Sequence, residues 1–246
     1  MFRLDSKVAL VTGAARGVGA ATARALAAQG ASVALADVDF EGARKIAEEI
    51  RTTARAYALD VSKVPELKAC VEAVVRDFGG IDVLVNNAGI FPRLPFIEST
   101  EEDWDRLMAV NAKSQFFLMQ AVFPTMKKRG GGRIINIAST SGRVGSVANG
   151  SIYSGTKGAI VMFSKAVARE VAGDGILVNC VAPGTVNTDL MRNLPPGRLE
   201  AICDQIPLKR LAKPEEVAAF VAFLASDECS YATGATFDIN GGWIML

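Results

Sequence analysis

Seven short apolar runs, most of them rich in β-branched residues, recur along the chain, with longer helix-like stretches between them. The runs cover residues 8–12, 32–36, 54–59, 81–86, 133–138, 176–182 and 235–240. The stretches cover 18–29, 41–51, 64–78, 101–128, 153–172 and 214–226. Strand, helix, strand at this spacing is the pattern of βαβ units, which close onto a parallel sheet. The runs are nearly uniformly apolar rather than alternating, as strands are when helices cover both sheet faces. An α/β architecture follows.

Local signals agree with that partition. Thr100-x-x-Asp103 has the form of a capping box, and Pro214 followed by Glu215 and Glu216 suits the first turn of a helix. Gly30 and Gly130 stand where helices should stop. Pro124 should kink or end the 101–128 helix. No linker or repeat divides the 246 residues, so residues 1–246 read as one domain. Only residues 183–213 carry little periodicity, and they include Pro195-Pro196-Gly197. Loops of this length in compact domains usually cover a binding site, so a substrate lid is expected over 185–213.

Composition closes off several kinds of chemistry. The chain has 27 Lys and Arg against 26 Asp and Glu, a balance of +1 that speaks against nucleic-acid partners. It contains no histidine, which removes Ser-His and Cys-His nucleophiles and imidazole-built metal sites. Cys70, Cys180, Cys203 and Cys229 are scattered, so neither a disulfide framework nor a thiolate metal site is expected; no metal is assigned. The longest apolar run near the C-terminus, residues 217–225, is too short to span a membrane. With a strand-like run starting at Val8 there is no room for a signal peptide, and a cytoplasmic protein is expected.

The turn Thr12-Gly13-Ala14-Ala15-Arg16-Gly17-Val18-Gly19 joins the first run to the first helical stretch. Glycines there let a phosphate approach the backbone, and the free N–H groups of a helix start favour an anion. The spacing is G-x3-G-x-G rather than the commoner G-x-G-x-x-G. Asp37 closes the second run, 24 residues after Gly13, where an acid accepts hydrogen bonds from a ribose diol. A carboxylate at that point repels a 2′-phosphate, whereas Arg16 could pair with one. A buried-edge carboxylate beside a dianion costs more than a mobile arginine returns, so NAD is expected over NADP.

With these residues in view, the chain resembles the short-chain dehydrogenase/reductase family. The glycine turn, Asn86-Asn87-Ala88-Gly89, Tyr153-x-x-x-Lys157 and Pro183-Gly184 carry the resemblance, in order and at family-like spacing from about residue 5 to the C-terminus. It implies a single-domain, doubly wound Rossmann fold with a seven-stranded parallel sheet, a nicotinamide cofactor, and a homotetramer or homodimer. By position it assigns Gly13, Arg16, Gly17, Val18, Gly19 and Asp37 to the cofactor, with Asp60 and Val61 beside the adenine. Asn87, Ala88 and Gly89 would hold the nicotinamide side, and Pro183, Gly184, Val186 and Thr188 would run along the nicotinamide and diphosphate. Asn111, Ser139, Tyr153 and Lys157 would form a catalytic tetrad, with Asn111 holding a water that links Lys157 to solvent. Ser139 precedes Tyr153 by 14 residues, slightly more than the family pattern leads one to expect.

In a chain without histidine a tyrosine phenol can carry the proton, but its ordinary pKa near 10 is too high for a base at neutral pH. Lys157 lies four residues on, about 40° round a helix and about 6 Å along it, so the two side chains share a face. Its ammonium and the nicotinamide ring should draw the phenol down by roughly two units. Lys157 could also bind the ribose hydroxyls. Ser139 stands at the carboxyl edge of the sheet, where its hydroxyl can hold a substrate oxygen.

The walls expected for the substrate are Ile90, Phe91, Pro92, Arg93 and Leu94, the 140–150 loop, and Leu190, Met191 and Leu194. Most are apolar and favour an apolar secondary alcohol or ketone, with Arg93 and Arg143 read as solvated. Ile160-Val161-Met162-Phe163 cannot all face one sheet, and the chain ends Trp243-Ile244-Met245-Leu246; both point to contacts between subunits. The leading expectation is an NAD-dependent alcohol dehydrogenase or carbonyl reductase. The alternative is a 3-oxoacyl-carrier-protein reductase, an activity that usually prefers NADPH. A methyltransferase has no need of Tyr153 beside Lys157, and neither does a silent NAD-sensing protein.

Overall fold

A computed structural model describes residues 2–51, 54–146, 148, 150–191 and 197–246. Seven strands, β1 (Val8–Thr12), β2 (Ser32–Asp37), β3 (Ala54–Ala58), β4 (Val83–Asn86), β5 (Gly132–Ile137), β6 (Ile176–Pro183) and β7 (Thr236–Ile239), form one sheet. Their order is β3-β2-β1-β4-β5-β6-β7, and every pair is parallel. All strand bounds fall within two residues of those expected. The order reverses between β1 and β4, and the crevice beyond the carboxyl ends at such a point is where doubly wound sheets bind ligands.

Period-two alternation divides the core. Val11, Val33, Leu35, Val85 and Ile135 pack with Leu26 of α1 (Gly17–Ala28), Ile46 of α2 (Phe40–Ile50) and Val221 of α9 (Pro214–Ala225). Leu10, Ala34, Leu84, Ile134 and Val178 pack on the other face with Val71 of α3 (Val64–Phe78), Val122 of α5 (Ser114–Lys128) and Ala168 of α7 (Ser151–Val171). All five residues of β1 are buried, as a central strand covered on both faces must be.

The stretch expected as one helix over 101–128 is divided. A capping box between Thr100 and Asp103 starts α4 (Glu101–Leu107), a π-helical stretch (Met108–Lys113) follows, and α5 continues from Ser114. A π turn admits an extra residue and re-aims the side chains around it; here it carries buried Asn111. Pro124 does not end its helix: it sits on an exposed face of α5, where water can serve the freed carbonyl, and the helix runs on to Lys128.

Residues 183–213 also hold more order than their sequence suggests. A 3-10 turn (Asp189–Met191) and α8 (Arg198–Gln205) lie within them. Their base is tied by a bridge between Val186 and Ala212 and by the Asn187 N–H donating to the Ala212 carbonyl at 2.8 Å. Leu194, Pro195 and Pro196 lie outside the described residues, as do Val147 and Asn149 of the 140–150 loop and the side chain of Leu190. The Ser139-to-Tyr153 interval carries the short helix α6 (Ser141–Val144). Among the described residues, no helix is long and apolar enough to cross a membrane.

Candidate active site

The glycine turn leaves β1 at the switch point. Gly13 has φ +65°, and a Cβ on Gly19 would lie 2.0 Å from the Gly13 carbonyl oxygen, so only glycine lets the turn close against α1. The N-cap of α1, Arg16, is exposed and makes no capping hydrogen bond with its side chain, which leaves the first N–H groups of the helix facing the crevice edge without a side-chain partner. Thr188 lies across the turn, 3.4 Å from where a Gly17 Cβ would be. A cleft of about 260 Å³ opens there, between Arg16, Gly17, Asn187 and Thr188.

Asp37 ends β2 with both carboxylate oxygens engaged. One accepts from the Ala15 N–H at 2.9 Å, inside the glycine turn, and the other from the Asp39 N–H at 2.9 Å. The helix N-cap at this edge is Asp39, which accepts from Gly42 N–H at 2.9 Å. Two carboxylates therefore stand at the end of β2. The second escaped notice in the sequence, although Asp two residues before a helical stretch is a capping signal.

The Leu59 N–H donates to the Asp37 carbonyl at 2.9 Å, which brings the end of β3 and Asp60 to the same edge. Asp60 accepts from Ser62 through both its N–H and its hydroxyl, and those bonds hold its carboxyl below the usual range. Val61 is buried in the same apolar cluster as Leu59 and Leu67.

Asn87 braces β4 against the turn: its amide nitrogen donates to the carbonyls of Thr12 and Gly13, each at 3.0 Å. The Thr12 hydroxyl accepts from the N–H groups of Asn87 and Ala88 at 3.1 and 3.2 Å. Thr12 had no role in the sequence reading, and a hydroxyl closing a central strand at the switch point was the signal available. Gly89 lies close to Asn111 and Lys157. On the far side Pro183 accepts from the Thr140 N–H at 3.0 Å, and Gly184 donates to Ile239 at 2.9 Å, which fixes the end of β6.

Ser139, Tyr153, Lys157 and Asn111 converge at the carboxyl edge. Ser139 follows β5; its hydroxyl accepts from the Ser141 N–H at 3.1 Å and lies near enough to the Tyr153 phenol to draw its pKa down. Lys157 is buried; its Nζ donates to the Ile137 carbonyl at 2.7 Å and stands 5.7 Å from the centre of the Tyr153 ring. Burial lowers the Lys157 ammonium to about 8. The acidified phenol expected from the sequence is not produced by the chain alone. Burial pushes Tyr153 above a phenol's ordinary value, opposed by the nearby Ser139 hydroxyl, while the Lys157 cation is anchored on Ile137.

The Asn111 amide grips one residue from both sides: Oδ1 accepts from the Ile90 N–H at 2.8 Å, and Nδ2 donates to the Ile90 carbonyl at 3.0 Å. Nδ2 also lies 3.3 Å from the Thr156 hydroxyl. Arg143, read as solvated, is mostly buried and paired with Asp238 at 3.5 Å.

This arrangement fits a nicotinamide dinucleotide. The turn leaves room only where side chains are absent, α1 offers unclaimed N–H groups, and a carboxylate waits at the ribose end of the crevice. The parallel sheet, the glycine turn and the Tyr153-Lys157 pair define a Rossmann-fold oxidoreductase of the tyrosine-dependent kind.

The chain belongs to the short-chain dehydrogenase/reductase family. A family model described as enoyl-(acyl carrier protein) reductase matches residues 13–244. The chain is 41% identical over 245 residues to a 3-oxoacyl-[acyl-carrier-protein] reductase of Vibrio cholerae, covering 100% of both proteins. It is 40% identical to a galactitol 2-dehydrogenase of Agrobacterium fabrum and 39% identical to a sorbitol dehydrogenase of Cereibacter sphaeroides, covering 98% of each chain in both cases.

Proposed function

We propose that the chain interconverts a ketone and a secondary alcohol with NAD(H), with Tyr153 as general acid/base. One observation carries this reading: the Tyr153 phenol stands beside a buried lysine, whose Nζ is 5.7 Å from its ring centre, at the edge where the glycine turn opens. When bound, the dinucleotide supplies or takes up the hydride. In reduction, Ser139 and Tyr153 hold the ketone oxygen by hydrogen bonds, and Tyr153 gives that oxygen its proton as the carbonyl carbon becomes an alcohol carbon. Lys157 stabilises the phenolate left behind, and Asn111 holds the Ile90 turn beside it. In oxidation the same groups take the proton back.

For the substrate, the relatives favour the alternative over the free apolar alcohol or ketone. The similar reductases act on 3-oxoacyl groups carried by acyl carrier protein, and the description of the matching family model also names that carrier. A 3-oxoacyl thioester provides a ketone with an apolar arm, suited to the walls at Ile90 and Phe91. The two polyol dehydrogenases support the wider class of secondary alcohols. Reductases of this kind carry the expectation of NADPH, against which Asp37 and Asp39 argue. NADH therefore remains our reading, because a 2′-phosphate would meet two carboxylates.

We further infer one domain, with residues 185–213 as its substrate lid on the tied base at Val186 and Ala212. A dimer or tetramer is supported by Met162 at 55% exposure on α7, beside buried Ile160 and Val161, and by exposed Met245 and Leu246. The four cysteines are free thiols, in keeping with a cytoplasmic setting. The test is an assay of nucleotide absorbance with a 3-oxoacyl thioester, apolar ketones and polyols, using NADH, NADPH and their oxidised forms at pH 7 and 9. Turnover of a ketone or alcohol supports the reading; nucleotide binding without turnover of any of them refutes it.

A further inference from the structure

The ring of Phe91 lies on that of Tyr153, with centroids 4.5 Å apart and planes inclined by 44°. Phe91 is half-buried and belongs to none of the three apolar clusters of the core. It is nonetheless held firmly. The Asn111 amide fixes the preceding residue, Ile90, by its N–H and its carbonyl. Downstream, Leu94 forms a backbone bridge to Gly150. Gly150 itself makes room for the ring, since a Cβ there would come within 2.8 Å of Phe91 Cε2. Polar anchors and a missing side chain thus press an apolar ring against the phenol rather than into the core.

We propose that Phe91 is a specificity-determining residue: its ring walls the phenol of Tyr153 on the side of residues 90–94, admitting ketones with a slender arm there and refusing those with an aryl arm. The proposal rests on the oxidoreductase reading above and adds to it the shape that reading leaves open. Pocket discrimination of this kind is steric. A single methylene too many in such a wall changes kcat/KM by about 10–200-fold.

The test uses the full-length protein, NADH, and two keto esters that differ only in the group on the reacting carbonyl: ethyl acetoacetate with a methyl and ethyl benzoylacetate with a phenyl. The wild type favours ethyl acetoacetate. Phe91→Ala raises the relative kcat/KM for ethyl benzoylacetate by roughly tenfold or more, with NADH affinity unchanged. Phe91→Leu, which keeps apolar cover over the phenol and so protects folding, moves the ratio the same way by less. A ratio unchanged in a variant that still reduces ethyl acetoacetate overturns the proposal. Equal losses on both esters overturn it too, because Phe91 then only holds Tyr153 in place. A wild type that binds NADH yet reduces neither ester overturns this proposal alone if it turns over any other ketone, thioester or polyol of the panel above, and overturns the oxidoreductase reading with it if it turns over none.

Discussion

Lys157 donates to the Ile137 carbonyl oxygen across 2.7 Å and is 3% exposed. The bond spans from α7 to the last residue of β5, so the strand that leads into Ser139 also sets the position of the cation. A buried ammonium with a neutral partner loses its proton early, and here burial brings it to about 8. In the reductive direction the cation supports the departing phenol proton. Activity should therefore be level below about pH 8 and fall above it as Lys157 is neutralised. A plot of log kcat/KM against pH for ketone reduction checks this, and Lys157→Arg, which stays charged, should flatten the alkaline limb even where its turnover is lower.

Asp37 uses both carboxylate oxygens on backbone N–H groups at the end of β2, beside the glycine turn, where the proposed function puts the ribose. Asp37→Asn keeps an acceptor for Ala15 and removes the charge. The preference for NADH over NADPH should fall by about tenfold, the factor that corresponds to 1.4 kcal/mol. Fluorescence titration with both nucleotides measures it. Selectivity unchanged in this variant would remove Asp37 from cofactor choice.

Asn111 holds Ile90 with both ends of its amide. In Asn111→Asp the carboxylate still accepts from the Ile90 N–H but no longer donates to its carbonyl. A buried acceptor left unsatisfied costs about 1–3 kcal/mol. Thermal unfolding should show that loss, and kcat should drop while NADH affinity holds, because the Ile90 turn lies by the phenol and not by the glycine turn.

Gly19 admits no side chain: a Cβ there lies 2.0 Å from the Gly13 carbonyl oxygen and 2.5 Å from Asn87 Nδ2. Gly19→Ala should displace the turn and weaken NADH binding by tenfold or more, at about 1.4 kcal/mol per decade. Calorimetric titration of folded protein checks it, with circular dichroism as the control.

The fold was legible in the sequence because strand and helix periodicities are local, and buried parallel strands are nearly pure in apolar residues. The shared face of Tyr153 and Lys157 was legible through helical spacing and the place of Ser139 through the strand end, while their meeting was implied by the family resemblance. Partners that depend on tertiary contact were not. Nothing local tells that Lys157 points to Ile137, that Asn111 grips Ile90, or that Arg143 meets Asp238. The π turn at Met108–Lys113 and the helix through Pro124 also depend on what packs around them. Thr12 and Asp39 were visible as residue types, but their roles needed the approach of β4 and α2.

The central claim is that the Tyr153 phenol moves the proton while the dinucleotide moves the hydride. Tyr153→Phe removes one oxygen and leaves the ring against Phe91, so it tests this most directly. Measured on an active substrate, this variant should bind NADH as the wild type does and lose roughly a thousandfold or more in kcat, within the range for general acid/base groups. Turnover within tenfold of the wild type at equal NADH affinity would contradict the account.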